Sequence, residues 1–248
     1  MINTFDITLV VTAHNESVIA GPPIRSAQAA IAAAREAGYT VQQMIGLDSP
    51  TLECQEFFRQ RQFKDWEKFE FEFADPYPTR NALVRRAGGR WIAFQDADDL
   101  LSENWLVRAA ETMEKAEKDG QRVIAHPELN WVFDSSASVF TKPSQDDPLF
   151  TPYFFYFNNF YDMMGMAPRK AHVEIPYVHR DIPNGFGYAD WQWSIETMEA
   201  GWRHVSVKDT IIFKRRRDWS VVLQNSARQA IIHEVEAMAI DKVRNLAK

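Results

Sequence analysis

Cysteine is all but missing from this chain: Cys54 stands alone among 248 residues. That excludes an internal disulfide framework and any metal site built on several thiolates; Cys54 is expected to be a small half-buried hydrophobe. A long apolar run is missing as well. No window approaches the roughly 20 uninterrupted apolar residues of a membrane span. The aromatic stretch Tyr153 to Met166 comes nearest, and Asn158, Asn159 and Asp162 break it. It reads as a core strand or as the wall of a ligand site. Surplus positive charge is absent too: 28 basic against 34 acidic side chains leave a net charge of -6. A general nucleic-acid binder is therefore disfavoured, since phosphate backbones demand clustered cations. The opening residues MINTFDITLVVTAHNE carry no basic region ahead of their short apolar run, so a cytoplasmic protein without a secretory leader is expected. Repeats, low-complexity tracts and flexible linkers are also lacking.

What the chain does have is an alternation of strand and helix. ITLVVTA (Ile7 to Ala13) is the β-branched, continuously apolar pattern of a strand buried on both faces. An alanine-rich helix follows from about Ile24 to Ala37, stopped by Gly38. Further strands are expected at Val41 to Leu47, at Phe69 to Ala74 and at RWIAFQ. Helices are expected through LECQEFFRQRQ and PTRNALVRRAGG, and from about Ser102 to Lys118. Four such alternations predict an α/β, Rossmann-like domain with a mainly parallel central sheet flanked by helices. Ligands of such sheets sit beyond the carboxyl ends of the strands, which directs attention to TAHNE, LDSP, ADPYP and QDADD. The second half is less regular. A helix is expected through WSIETMEAG, a strand at HVSVKDTIIF, and an amphipathic helix from about Ser226 burying Ile231, Val235, Met238 and Val243. One domain over 1–248 is expected, with a ligand-binding half to about 120, a second half to about 213, and a basic segment with a terminal helix.

QDADD poses the chemical question. Asp96, Asp98 and Asp99 leave a buried strand together, and close carboxylates repel one another and raise each other's pKa. They could be a solvated loop capping the next helix. An EF-hand fails, because Leu101 and Val107 stand where its glycine and final glutamate belong. An Asp-x-Asp pair at a strand exit suits Mg²⁺ or Mn²⁺ carrying a substrate diphosphate.

VVTAHNE, LDSP, TRNALVRRAGGRWIAFQDADD and GYADWQW, in this order and spacing from Ile7 to about Val221, resemble the inverting family 2 glycosyltransferases of the A-type fold. The resemblance implies a nucleotide-diphospho-sugar transferase domain. Its nucleotide-sugar site falls on Thr12, Ala13, His14, Asn15, Glu16, Asp48, Arg80, Asn81, Asp96, Ala97 and Asp98. Within that set, His14 replaces the family's usual aromatic, and Asp48 takes the base-reading position, with Ser49 where a second aspartate is common. Arg80 also reads as a surface helix cation. Asp98 is the implied metal ligand, for Mn²⁺ or Mg²⁺. Asp190 falls at the general-base position, with Ala189 where an acidic residue is common; alternatively it caps the helix that begins at Trp191. Tyr188 and Trp191 offer flat faces to an acceptor. In FKRRRDWS, Arg216 and Arg217 are implied diphosphate ligands, and Arg217 stands where the family often has a metal-binding histidine.

The expected activity is transfer of a sugar from a UDP- or GDP-type donor to a glycan, lipid-linked or small-molecule hydroxyl, as in polysaccharide biosynthesis. A catalytically inactive nucleotide-sugar-binding module of the same fold is the alternative. Nucleotidyl transfer is disfavoured, since TAHNESVIAGPP is not a glycine- and lysine-rich phosphate loop.

Overall fold

The computed structural model describes residues 4–217 and 225–247. The first half follows the expected alternation: β1 (Phe5–Ala13), α1 (Gly21–Glu36), β2 (Val41–Asp48), α2 (Leu52–Phe58), β3 (Glu67–Phe71), α3 (Pro76–Arg86), β4 (Gly89–Asp96), the short β5 (Leu100–Leu101) and α4 (Trp105–Lys118). Then come β6 (Val123–Asp134), β7 (Ser138–Thr141), β8 (Met166–Pro168), α5 (Arg169–Glu174), α6 (Ala189–Glu199) and β9 (Arg203–Arg216). One sheet in the order β3-β2-β1-β4-β8-β6-β9-β5, with β7 against β6, runs through both halves.

Strands β3, β2, β1 and β4 are parallel. Short β8 opposes both β4 and β6, and β9 is parallel to β6. Two reversals restore direction, so β6 and β9 point the same way as β1 to β4. Their carboxyl ends, at Asp134 and Arg216, therefore lie on the same edge of the sheet as those of β1, β2 and β4. This register is what assembles the site.

Side-chain alternation sorts the core. Ile7, Leu9 and Val11 pack on one face with Ile24, Ile31, Trp105 and Met113. Val10 points to the other face, with Met44, Ile92 and Phe94, against Leu83, Tyr177 and Trp193. Both faces being covered explains why the strands read as continuous apolar runs. Cys54 is fully buried in the first of these layers. Among the described residues, no helix is long and apolar enough to cross a membrane.

Three elements differ from the sequence reading. Strand β3 stops at Phe71 rather than Ala74, because the next amides, of Phe73, Ala74 and Asp75, bond to Asp48 instead of to a neighbouring strand. The irregular-looking VIAHPELNWVF is a long strand, β6, paired with β9 across a register shift between Pro127 and Leu129. Proline lacks the ladder donor, and a bulge is how a sheet accommodates it. The expected terminal helix does not extend past a helical start at 225–227 among the described residues. Short 3-10 turns at Glu236–Met238 and Val243–Ala247 take its place, and Ile231 is 63% exposed rather than buried. Its backbone is committed elsewhere: Ile231 N–H donates to Gly185 O and its carbonyl accepts from Gly187 N–H, which requires an extended chain. Val243 is buried as expected, in a third apolar cluster with Ala237, Leu246, Ile195 and Phe155.

Gly89 fixes the approach of β4 to β1. A Cβ there would lie 2.4 Å from the Thr8 backbone nitrogen and 2.8 Å from the Ile7 carbonyl carbon, neither of which can swing aside. Gly89→Ala is expected to cost about 2 kcal/mol through overpacking, read as a lower urea midpoint at unchanged slope.

Candidate active site

The three aspartates do not stack; the turn after β4 splays them. Ala97, fully buried, continues the ladder by donating to Thr12 O at 2.9 Å, and Asp99 N–H closes a turn on Asp96 O at 3.0 Å. Each carboxylate then meets its own cation. Asp96 pairs with Arg80, accepts from Thr12 Oγ1 at 3.0 Å and lies 3.6 Å from Lys214 Nζ. Asp98 meets Arg217 at 2.8 Å. Asp99 accepts from Lys214 at 2.6 Å and from the Arg215 backbone N–H at 2.7 Å.

Protonation follows the surroundings. Burial works to raise Asp96, but Arg80 and Lys214 outweigh it and hold the carboxyl below its ordinary range. Asp98 is raised, by burial and by the charge of Asp96, against the pull of Arg217. Burial pushes Asp99 up to about 7, with Lys214 opposing. Burial would lower Lys214, yet Asp99, Asp162 and Asp96 together raise it. The ammonium is thus the fixed charge at the centre of the cluster.

The end of β1 lies against the same cluster. Arg217 reaches across from beyond β9 to pair with Glu16 and to approach Asn15 Oδ1 at 3.4 Å. Glu16 is itself held by the His14 backbone N–H at 2.8 Å. The His14 side chain is exposed past the strand, its Nδ1 2.7 Å from Asp48 O. Asp48, at the end of β2, is buried and accepts backbone N–H bonds from Phe73, Ala74 and Asp75 at 2.8 to 3.0 Å. Ala74 has φ 52°, a left-handed conformation that costs energy in a residue with a Cβ, and Asp48 holds it there. Asn81 points away from the cluster: its side-chain amide pairs with both backbone groups of Tyr177, at 2.7 and 3.0 Å. Of the expected nucleotide-sugar residues, then, Thr12, Asn15, Glu16, Arg80, Asp96 and Asp98 converge through shared contacts. Asp48 and Asn81 spend their polar groups on the backbone of flanking loops.

Beside the cluster lies a cavity of about 1230 Å³. Asp190, Tyr188 and Trp191 line it together with Lys214 and Arg216. Alternation along β9 puts these two cations on one face of the strand. Since Lys214 also touches Asp96 and Asp99, the carboxylate cluster and Asp190 border one crevice. Tyr188 precedes α6 with φ 54°, and this left-handed residue turns the chain so that Asp190 falls in the first helical turn. Tyr77 Oη donates to Asp190 Oδ1 at 3.1 Å; burial raises the Asp190 carboxyl, and this hydrogen bond opposes the rise. The aromatic stretch from Tyr156 to Tyr161 forms another wall of the cavity, as one of its two readings expected.

Sequence reasoning did not single out Tyr77, Asp162 or Lys142, and it did not separate Lys214 from its basic run. Lys142 has no exposed side-chain surface and pairs with Asp162 at 3.0 Å; Asp162 also accepts from Asn130 at 2.7 Å. For Tyr77 there was a signal, the i,i+3 spacing to Arg80 in PYPTRN, which sets both on one helix face. Nothing local marked Lys142 or Asp162.

For a divalent cation the protein offers Asp98. Among the described residues no group of three His, Cys, Asp or Glu side chains gathers to hold a metal. Mg²⁺ commonly takes one or two protein carboxylates and completes its shell with substrate phosphates and water. A single carboxylate at Asp98 is therefore compatible with such a metal; in the protein itself it is paired with Arg217.

Arg80 is the buried half of its pair. Arg80→Leu leaves Asp96 facing only Lys214, and should cost about 2 kcal/mol, less than a fully buried pair because the Asp96 side chain is 31% exposed. Asp96→Asn in the same chain should return part of that loss, measured by urea unfolding.

Comparisons with known proteins bear on the family and the fold. The model of glycosyl transferase family 2 matches residues 8–165. No curated protein matches the chain by sequence. Solved structures similar in fold include TarS of S. aureus in complex with UDP-GlcNAc, at 14% identity and TM-score 0.59, covering 90% of this chain and 61% of that one. The mannosyltransferase PcManGT of Pyrobaculum calidifontis, with GDP-Man and Mn²⁺, has 12% identity and TM-score 0.60, covering 87% of this chain and 58% of that one. GalNAc-T7 with UDP, GalNAc and Mn²⁺ has 14% identity and TM-score 0.62, with 87% and 44% covered. The chain thus spans about six-tenths of the TarS chain. A strand-end carboxylate cluster on a mainly parallel sheet, the family match and these neighbours lead to one assignment: the chain belongs to glycosyl transferase family 2 and has the A-type glycosyltransferase fold.

Proposed function

We propose that this protein is an inverting glycosyltransferase that moves a sugar from a nucleoside-diphosphate donor to an acceptor hydroxyl. The observation that carries the reading is the shared crevice: Lys214 touches Asp99 and Asp96 on one side and lines the cavity of Asp190 on the other. The nucleotide sugars bound to TarS and PcManGT support the donor class.

In this scheme the nucleoside lies along Thr12 to Glu16, with Asp48 holding the loop beneath it, and Asp96 meets the ribose or the sugar. The acceptor enters the cavity against Tyr188 and Trp191. Its hydroxyl oxygen bonds to the anomeric carbon as the bond from that carbon to the diphosphate oxygen breaks, so the configuration inverts. The hydroxyl proton passes to Asp190, whose carboxyl is raised by burial toward the range useful to a base at neutral pH. Charge growing on the departing diphosphate is met by Lys214 and Arg216, and by Arg217 once it exchanges its carboxylate partners for the phosphates; cations already held in a partly dry site stabilise such charge with little reorganisation. A divalent metal held by Asp98 and the diphosphate would add Lewis-acid neutralisation of that charge.

Asp190→Asn is expected to abolish sugar transfer across a panel of nucleotide sugars while nucleotide affinity, by calorimetry, stays within about twofold of wild type. Unchanged turnover would remove Asp190 as the base, and an inactive wild type that still binds nucleotide sugars would favour the binding module. For the metal, Mn²⁺ titration followed by electron paramagnetic resonance should show tight binding only with nucleoside diphosphate present, lost in Asp98→Asn. Transfer that persists in EDTA would assign the diphosphate charge to Arg216, Arg217 and Lys214 alone.

A further inference from the structure

Helix α3 reaches both sides of the crevice. Asp75 caps it, accepting the Tyr77 backbone N–H at 3.1 Å, and Arg180 closes on Asp75 from the loop before Asp190. Within its first turns, Tyr77 and Arg80 stand three residues apart on one face, the Arg80 guanidinium centre 5.8 Å from the Tyr77 ring. Arg80 ends on Asp96, and Tyr77 ends on Asp190. Tyr77 is 5% exposed, packed beside Tyr177 with ring centroids 6.1 Å apart. A buried phenol needs a hydrogen-bond partner, and the partner here is the carboxylate assigned to proton transfer.

We infer that Tyr77 is a positioning residue for that transfer: its hydroxyl fixes one oxygen of Asp190 and favours the ionised carboxylate, leaving the other oxygen to take the acceptor proton. This rests on the reading of Asp190 as the base. The geometry gives the hydroxyl a defined task. A carboxylate on a short helical turn can rotate about its terminal bond; a donor from a second, separately anchored helix removes that freedom. Other charged and titratable groups near Asp190 are Arg80 on α3, Tyr177 after α5, and Asp162 across the cavity. Arg80 favours ionisation and Asp162 opposes it; burial leaves the carboxyl raised, and the Tyr77 hydrogen bond is the strongest of the influences that oppose that rise. The same helix also ties the base to the donor-side carboxylate, so the two ends of the reaction share one rigid support.

The test compares wild type, Tyr77→Phe and Asp190→Asn in the full chain. Loss of the donor raises the Asp190 pKa, so a base that must be ionised becomes competent only at higher pH. The acid limb of kcat/KM in Tyr77→Phe should move up by about one unit, which is roughly tenfold in ionisation. The deficit should be largest at low pH and shrink as pH rises, with donor KM and nucleotide affinity within about twofold of wild type. Where Tyr77→Phe fails to fold, 3-fluorotyrosine at position 77 keeps the ring and donates more strongly, and should move the limb down. A limb that stays put while Asp190→Asn is inactive would overturn the inference and leave the base standing. A loss equal at all pH values with weakened nucleotide binding would assign Tyr77 a purely structural role and also overturn it. Turnover retained in Asp190→Asn would remove the reading beneath both.

Discussion

Confining several carboxylates to one strand end is the constraint that organises this molecule. Asp96, Asp98 and Asp99 cannot share a small volume as bare anions, so the fold brings three different elements to them: α3 with Arg80, β9 with Lys214, and the residue beyond β9 with Arg217. Each cation arrives from a different distance in sequence. The long second half of the chain can be understood as the means of returning β9 to the edge where β4 ends. The two reversals around β8 achieve that return.

The same requirement links stability to chemistry. Buried ion pairs of this kind seldom add much net stability, because desolvation offsets the attraction. Their effect here is to fix three cations beside the strand-end carboxylates, where the proposed reaction needs positive charge. Arg217 is the clearest case: it is paired with both Glu16 and Asp98, the partners it would exchange for phosphate oxygens in the proposed function. A site that keeps its positive charge paired in this way avoids an exposed cationic patch on a chain of net charge -6.

Much of this was legible in the sequence, for physical reasons. Buried parallel strands produce unbroken apolar runs, so β1, β2 and β4 were evident, and the carboxyl-end rule placed TAHNE, LDSP and QDADD on one edge. The acidic block at the end of β4 pointed to Asp96 and Asp98, and the resemblance of GYADWQW to a family block pointed to Asp190, which lies in the first turn of α6. The remainder depends on contacts that no local window contains. Tyr77 and Asp190 are 113 residues apart, and Arg217 and Glu16 are 201 apart. Lys142 had the signature of a surface lysine, and only its pairing with Asp162 allows it to be buried. The expected terminal helix failed for a related reason: its apolar spacing was real, but Met238 and Val243 fall in separate 3-10 turns while Ile231 serves through its backbone.

That backbone pairing brings part of residues 225–247 into the wall of the cavity that holds Asp190. Ile231 is stitched to Gly185 and Gly187, His233 stacks on Phe186, and Ser226 meets Tyr188. The loop leading to Asp190 and this later segment are thus joined by main-chain, ring and hydroxyl contacts. A substitution in the later segment is therefore felt, through main-chain hydrogen bonds, at the turn that sets Asp190 in the cavity wall.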